Sequence, residues 1–292
     1  VRVVVCLLVV TACGRVAFEG VGTGADALSP CTGPFGAPAP IPTVNSAEQD
    51  WGGALTDDRL ELYFGSDRAG GLGGTDLYLA TRATRDAMFS PPRHLAELST
   101  PGPDDNPFIE PDGLTLWFDS NGQLFTATRT SRTAPWGTPM QVSAVNTADD
   151  EVAPALSPDG LSLYFSSDRP GGAGDLDVWH ARRTSKAAPF SPPTRIAIGN
   201  SSVFDCCAFV SADGTELMFT TNALSGGPGG IAVVSRDPAT GAVSGAPAIR
   251  RLGPGAGNEL DVFGTTDGEV IGFSSDFTDG SHDLWLMERA CP

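Results

Sequence analysis

Along residues 157–165, SPDGLSLYF, apolar side chains fall at alternate positions, Leu161, Leu163 and Phe165, directly after an Asp159-Gly160 pair. Alternation of this kind marks a strand with one buried face, and Asp-Gly ahead of it marks a tight turn. The pattern returns at 56–64 (TDDRLELYF), 110–118 (EPDGLTLWF), 211–219 (SADGTELMF) and 265–273 (TTDGEVIGF). The closing residues Phe64, Phe118, Phe165, Phe219 and Phe273 are 54, 47, 54 and 54 residues apart. An internal period of this size is the signature of a propeller or a solenoid. The first copy alone lacks the glycine, having Asp58-Arg59.

After each closing Phe the pattern predicts a turn and a further strand, at 77–82, 124–129, 178–183, 231–236 and 284–289, each ending in arginine. The hairpin of the second copy is 7 residues shorter than that of the first, which accounts for the 47-residue spacing. Seven residues beyond the first four arginines stand Phe89, Trp136, Phe190 and Val243, each opening a fourth, proline-spotted segment. Proline suits the edge strand of a blade. Each copy thus supplies four strands, a to d, and the expected fold is an all-β, five-bladed β-propeller over 35–292. The fifth copy ends at Ala290-Cys291-Pro292 without a fourth strand. Residues 35–45, FGAPAPIPTVN, align without gaps on 136–146, WGTPMQVSAVN, so an N-terminal strand is expected to complete the last blade and close the ring.

Segments such as 145–183, VNTADDEVAPALSPDGLSLYFSSDRPGGAGDLDVWHARR, resemble the Pro-Asp-Gly repeat of TolB-like, WD-repeat-like bacterial propellers. The resemblance runs over 35–292, is strongest in the first and third copies, and implies a propeller whose relatives mostly bind other proteins.

The start of the chain changes the picture of where such a propeller works. Residues 1–12 hold Arg2 and an apolar run from Val3 to Val10, too short to span a bilayer, and read as a signal peptide. Val10-Thr11-Ala12-Cys13 resembles the bacterial lipobox, which implies lipidation of Cys13; a cleaved signal with an incidental Cys13 is the other reading. Val1 suggests an alternative start codon or a start further upstream. Residues 13–34 then form the lipidated cysteine and a flexible tether, placing the protein at the cell envelope with the membrane reached through the anchor. The formal charge of −17 argues against nucleic acid and favours cations, a basic peptide or a basic envelope protein as partner, with the chain expected to be a monomer.

Eight residues before each turn aspartate stands an acid: Asp50, Asp104, Glu151, Asp205 and Glu259. Strand a is innermost in a propeller, so these five are expected to ring one mouth of the channel. They serve either as a ligand or cation site, calcium among the candidates, or as caps for donors at the blade junctions. Asp67, Asn121, Asp168, Asn222 and Asp276, three past each Phe, are expected to close turns on the same face. Asp276, Asp279 and Asp283, in DFTDGSHD, crowd oxygens around a glycine as calcium loops do, without EF-hand spacing. The sialidase Asp-box is a poorer match, because here Asp and Gly are adjacent. On the opposite face Arg82, Arg129, Arg183, Arg236 and Arg289 lie beside the turn aspartates, and a repeated hydrogen bond or guanidinium–carboxylate pair is expected there.

His94, His180 and His282 fall at unrelated repeat positions, and no GxSxG, HExxH or phosphate-binding glycine motif is present. Export permits disulfides. Cys31 and Cys291 are expected to staple the closure, and Cys206-Cys207 forms either a strained vicinal disulfide or, the expected state, two thiols. The expected function is a non-enzymatic binding module or scaffold of the cell envelope. The alternative is an enzyme of the five-bladed glycoside-hydrolase kind using channel-mouth carboxylates.

Overall fold

The computed structural model of the protein describes residues 33–196, 198–202, 204–222, 229–253, 258–277 and 280–290. The expected signal peptide, Cys13 and most of the expected tether, with Cys31, Cys291 and Asp279, lie outside the described residues.

Five four-stranded antiparallel sheets make the five blades. Blade 1 contains β2 (Asp50–Leu55), β3 (Glu61–Ser66), β4 (Asp76–Thr81) and β5 (Arg93–His94). Blade 2 contains β6 (Asp104–Ile109), β7 (Thr115–Ser120), β8 (Gln123–Thr128) and β9 (Met140–Gln141). Blade 3 contains β10 (Glu151–Leu156), β11 (Ser162–Ser167), β12 (Asp177–Arg182) and β13 (Thr194–Arg195). Blade 4 contains β14 (Asp205–Val210), β15 (Glu216–Thr221), β16 (Gly230–Arg236) and β17 (Val243–Arg250). In blade 5, β18 (Glu259–Gly264), β19 (Val270–Ser275) and β20 (Asp283–Glu288) are completed by β1 (Ala39–Pro40) from the other end of the chain. Ala39 faces Leu286, Pro40 faces Trp285, and Phe35 bridges Arg289.

A blade is too thin to bury its own faces, so the core lies between blades. Phe64, Phe118, Phe165, Phe219 and Phe273 are 0%, 1%, 0%, 0% and 0% exposed, and each packs with apolar residues of the preceding blade. Phe273, for example, meets Met218 and Ile231, while Phe64 meets Phe263 and Leu284 across the closure. Full burial of one such ring stabilises by about 1.5–3 kcal/mol. Every junction also carries a backbone bond: the N–H groups of Asp50, Asp104, Glu151, Asp205 and Glu259 donate to the carbonyls of His282, Thr75, Gly122, Leu176 and Gly229 of the preceding blade.

Of the two uses expected of the five arginines, the one that repeats is the hydrogen bond, with a backbone carbonyl as acceptor, and Arg129 also pairs with Glu61 of blade 1 at 2.6 Å. Arg82, Arg129, Arg183 and Arg289 donate through Nε, and Arg236 through Nη1, to the carbonyl of the residue just after the turn aspartate, at 2.6–2.8 Å. Four of the guanidinium groups lie over the ring that opens strand d: Phe89, Trp136, Phe190 and, for Arg289, Phe35, at 4.2–4.7 Å. Blade 4 has Val243 at that position, and Arg236 turns instead to Tyr164 of blade 3, its Nε 2.7 Å from the phenolic oxygen. The turn aspartates accept within their own turns, and two also meet arginines of a neighbouring blade, Asp58 with Arg132 and Asp267 with Arg59. Asp159 Oδ1 accepts from Ser157 Oγ at 2.5 Å and from the Leu161 N–H at 3.0 Å.

Arg59 stands where the other four turns have glycine, and it keeps the same left-handed backbone, φ 64° against 69–74°. A side chain there costs about 1–2 kcal/mol. The compensation lies across the closure, where Arg59 Nη2 pairs with Glu269 and lies 3.5 Å from Asp267 of blade 5. Glycine at position 59 should relieve the strain yet remove the guanidinium that pairs with Glu269, which is only 7% exposed. Arg59→Gly is therefore expected to lower unfolding free energy by about 1–3 kcal/mol, and Arg59→Gly/Glu269→Gln to recover most of it. Denaturant titration checks both, and a single variant as stable as wild type would show that the closure does not depend on this pair.

Candidate functional site at the channel mouth

The ring acids open the five innermost strands, and all five are 0% exposed. Asp50, Asp104, Glu151 and Asp205 each accept the backbone N–H and hydroxyl of a Ser or Thr four residues earlier: Ser46, Thr100, Thr147 and Ser201. Glu259 accepts the N–H groups of Leu252 and Gly253 at 3.0 and 2.7 Å. These carboxylates therefore fasten the linker from the preceding blade to the head of the next inner strand. The Ser/Thr at the fourth position before the acid was visible in the sequence and would have pointed to capping.

Five buried charges around one axis must be offset, and the blades do this in different ways. In blades 1 and 3 an arginine enters the junction. Arg68 Nη2 pairs with Asp50 and donates to Val44 O at 2.7 Å, with its guanidinium 5.0 Å from the rings of both Phe64 and Tyr78. Arg169 repeats this with Glu151 at 2.8 Å, Val145 O at 2.7 Å, and the rings of Phe165 and Trp179. In blades 2 and 4 no arginine is shown in this part among the described residues, and burial pushes the Asp104 and Asp205 carboxyls up from the usual range against the pull of their hydrogen bonds.

Two residues further along each inner strand the backbone turns left-handed. Gly52, Asn106, Ala153, Cys207 and Asp261 have φ of 59°, 49°, 53°, 61° and 52°, and the strand pairing slips there in all five blades. Each such bulge turns an N–H out of the ladder. Ala153, Cys207 and Asp261 donate to Asp119, Ser166 and Thr220 of the preceding blade, at 2.9, 3.2 and 3.2 Å. Gly52 donates to Asp261 at 3.4 Å, and Asn106 donates to its neighbour Asp105 at 2.7 Å. Asp105 fills the space left by Gly65, where a Cβ would lie 1.9 Å from its Oδ1.

Three carboxylates that no repeat column singled out, Asp105, Asp119 and Asp261, therefore gather at this mouth. Asp105 and Asp119 face each other across β6 and β7, and Asn106 Nδ2 donates to Asp119 at 2.9 Å. Burial drives the Asp119 carboxyl up to about 7 and Asp105 well above the usual range, each reinforced by neighbouring aspartates; burial also raises Asp261, which accepts from Ser274 Oγ at 2.8 Å. Beneath them lies a cavity of about 50 Å³ walled by the bulge residues with Phe108, Phe209 and Phe263. Phe108 and Phe209 also wall a second pocket of about 30 Å³ that opens toward the other face, so aromatic rings stand on the axis between the two.

The Asx column closes turns. Asp67, Asp168 and Asp276 accept the N–H groups of Gln49, Asp150 and Asn258, each just ahead of a ring acid, at 2.7–2.9 Å. Asp276 also takes Asn258 Nδ2 at 2.8 Å, while Asp283 opens β20, 9% exposed. Among the described residues no group of three or more His, Cys, Asp or Glu side chains is placed to hold a metal ion. Cys206 and Cys207 correct one expectation: they form a vicinal disulfide rather than two thiols. Cys207 belongs to the bulge, whose conformation the sequence pattern did not show.

An aspartate held above its ordinary range binds more protons folded than unfolded, so it removes stability as pH rises from about 4 through the raised value. Relative to an Asp105→Asn/Asp119→Asn variant, which keeps an acceptor oxygen at each position, the wild type should lose about 1.4 kcal/mol per pH unit for each of the two carboxyls still protonated across that interval. Chemical denaturation between pH 5 and pH 8 checks this; parallel curves for the two proteins would mean that the pair ionises normally.

No family model and no curated protein sequence matches the chain. Among solved structures it is similar to a putative TolB from Agrobacterium tumefaciens, with TM-score 0.51 and 16% identity, over 87% of this chain and 90% of that one. It is also similar to the catalytic domain of a GH62 α-L-arabinofuranosidase from Coprinopsis cinerea, with TM-score 0.59 and 13% identity, over 90% of this chain and all of that one. TolB from Acinetobacter baumannii aligns with 20% identity and TM-score 0.49; the match takes in 85% of this chain but 57% of the length of that protein. These likenesses establish the fold, a β-propeller shared by TolB-like proteins and glycoside hydrolases.

Proposed function

We propose that the propeller is a non-enzymatic binding module of the cell envelope, and that its partner presents a basic peptide or protein surface to the channel mouth. One observation carries this reading. On the mouth face Glu48, Asp67, Asp150, Asp168 and Asp175 are exposed, whereas the arginines of the same loops, Arg68 and Arg169, are drawn into the junctions, Arg169 to 8% exposure. Around blades 1 and 3 the face therefore keeps a negative field from which these two arginines have been withdrawn, which steers positively charged partners and weakens with salt. The ring acids add to the structure rather than to the surface, being buried and hydrogen-bonded.

A second reading, a glycoside hydrolase, is favoured by Asp105, Asp119 and Asp261, because a carboxyl raised by burial is what a general acid requires. Against it stands the axial cavity of about 50 Å³, small beside the roughly 300–1,000 Å³ of ligand pockets.

Calorimetric titration with a lysine-rich peptide should show binding that weakens with added salt. An Asp67→Asn/Asp150→Asn/Asp168→Asn variant should bind about tenfold more weakly, or about 1.4 kcal/mol. Absence of binding, or binding indifferent to salt, would overturn the basic-partner reading; sugar release from envelope or plant polysaccharides that Asp119→Asn abolishes would establish the enzyme instead.

The envelope location rests on the lipobox. Cys13→Ser is expected to move the protein from the membrane fraction to the soluble exported fraction, and a wild type already soluble would remove the anchor from this reading.

A further inference from the structure

Five blades of one chain provide an internal comparison for the Cys206–Cys207 bond. At the third position of the inner strand, Gly52, Asn106, Ala153 and Asp261 hold the same left-handed conformation as Cys207, with φ of 49–59° against 61°. None of those four blades has a disulfide at this place, since their preceding residues are Trp51, Asp105, Val152 and Leu260. The bulge is held by the ladder on either side and by an acceptor for its N–H, which for Cys207 is Ser166 Oγ at 3.2 Å. The sulfur–sulfur bond is therefore not what sets the backbone, and opening it leaves a conformation that the other blades adopt without it.

Access is the second observation. Cys206 is 3% exposed, while Cys207 forms part of the wall of the axial cavity, whose volume of about 50 Å³ has room for a few water-sized molecules. We propose that Cys206–Cys207 is a reversible redox site that takes a peroxide-sized oxidant from the channel, cycling between dithiol and disulfide with the propeller intact. In the oxidising direction the Cys207 thiolate attacks one oxygen of hydrogen peroxide. An S–O bond forms, the O–O bond breaks, and hydroxide leaves with a proton as water. Cys206 then displaces the hydroxyl from the Cys207 sulfenic acid, the S–S bond forms, and its thiol proton leaves with that oxygen as a second water. Two thiols and one peroxide thus become one disulfide and two waters. A dithiol reductant reverses the state by exchange through a mixed disulfide. No Lys, Arg or His is among the residues walling the cavity, and Asp261 is, so Cys207 reacts as an unactivated thiol, slowly.

The test uses the whole folded protein. After dithiothreitol and then iodoacetamide, the peptide carrying both cysteines should gain two alkyl groups. In a Cys31→Ser/Cys291→Ser background, which removes the expected closure staple, circular dichroism should be unchanged and Tm within a few degrees of the oxidised form. Millimolar hydrogen peroxide given before alkylation should return that peptide to the unalkylated mass, two hydrogens lighter than the dithiol. Cys207→Ser should keep the dichroism of the wild type. Alkylation that requires denaturant would show the site to be closed to small molecules. Loss of the β signal on reduction, or of the fold in Cys207→Ser, would show the bond to be structural; stable sulfinic acid on Cys207 in place of the disulfide would exclude the cycle.

Discussion

A carboxylate buried where two blades meet is the constraint that the rest of the propeller answers to. At each head of an inner strand the chain must stop being a linker and become a ladder, and an acceptor of two donors at once does this more firmly than an apolar side chain. Buried charge is costly, however, and each blade compensates it from its own resources: an arginine held between two aromatic rings for Asp50 and Glu151, a raised carboxyl for Asp104 and Asp205, a pair of backbone N–H groups for Glu259. The SDR motif with its glycine loop, present in the first and third copies, is the sequence trace of the first solution.

Much of this was legible because a period multiplies evidence. The third strand of each blade came within a residue of the observed one. The fourth begins at Ala39, Arg93, Met140 and Thr194, past the aromatic expected to open it, and at the expected Val243 in blade 4. The use of residues 35–45 to finish the last blade followed from a gapless alignment. What stayed hidden has physical reasons. The arginine column was visible but its partner was not, because a backbone carbonyl has no letter in the sequence. The bulge recurs in every blade, yet Gly52, Asn106, Ala153, Cys207 and Asp261 share no chemistry; they share a dihedral angle. Asp105, Asp119 and Asp261 occupy unrelated repeat positions, so alignment on the turn aspartate dispersed them although folding brings them to one mouth.

That contrast gives a rule for reading function in a repeat protein. Features present five times hold the ring together, as the Phe, Arg and acid columns do. Individual chemistry lies where a column is broken: Arg59 in place of glycine, Val243 in place of an aromatic, and cysteine at the bulge of one blade. The similarity to both TolB-like and glycoside-hydrolase propellers is one of fold, which does not by itself set function.

The two-residue strand β1 sets how the molecule bears mechanical load. Its partners are far off along the chain, Asn45 holding both backbone groups of Leu284 at a separation of 239 residues and Arg289 lying over Phe35. Tension applied through the amino end therefore enters the fold along Pro34 to Pro40, whose bonds run to Ala290, Arg289, Glu288 and β20, and passes to blade 5 before any other blade is stretched. The fifth blade is in effect the molecule's clasp. Under force it should open first, exposing the junction faces of blades 5 and 1 while the remaining four sheets stay paired.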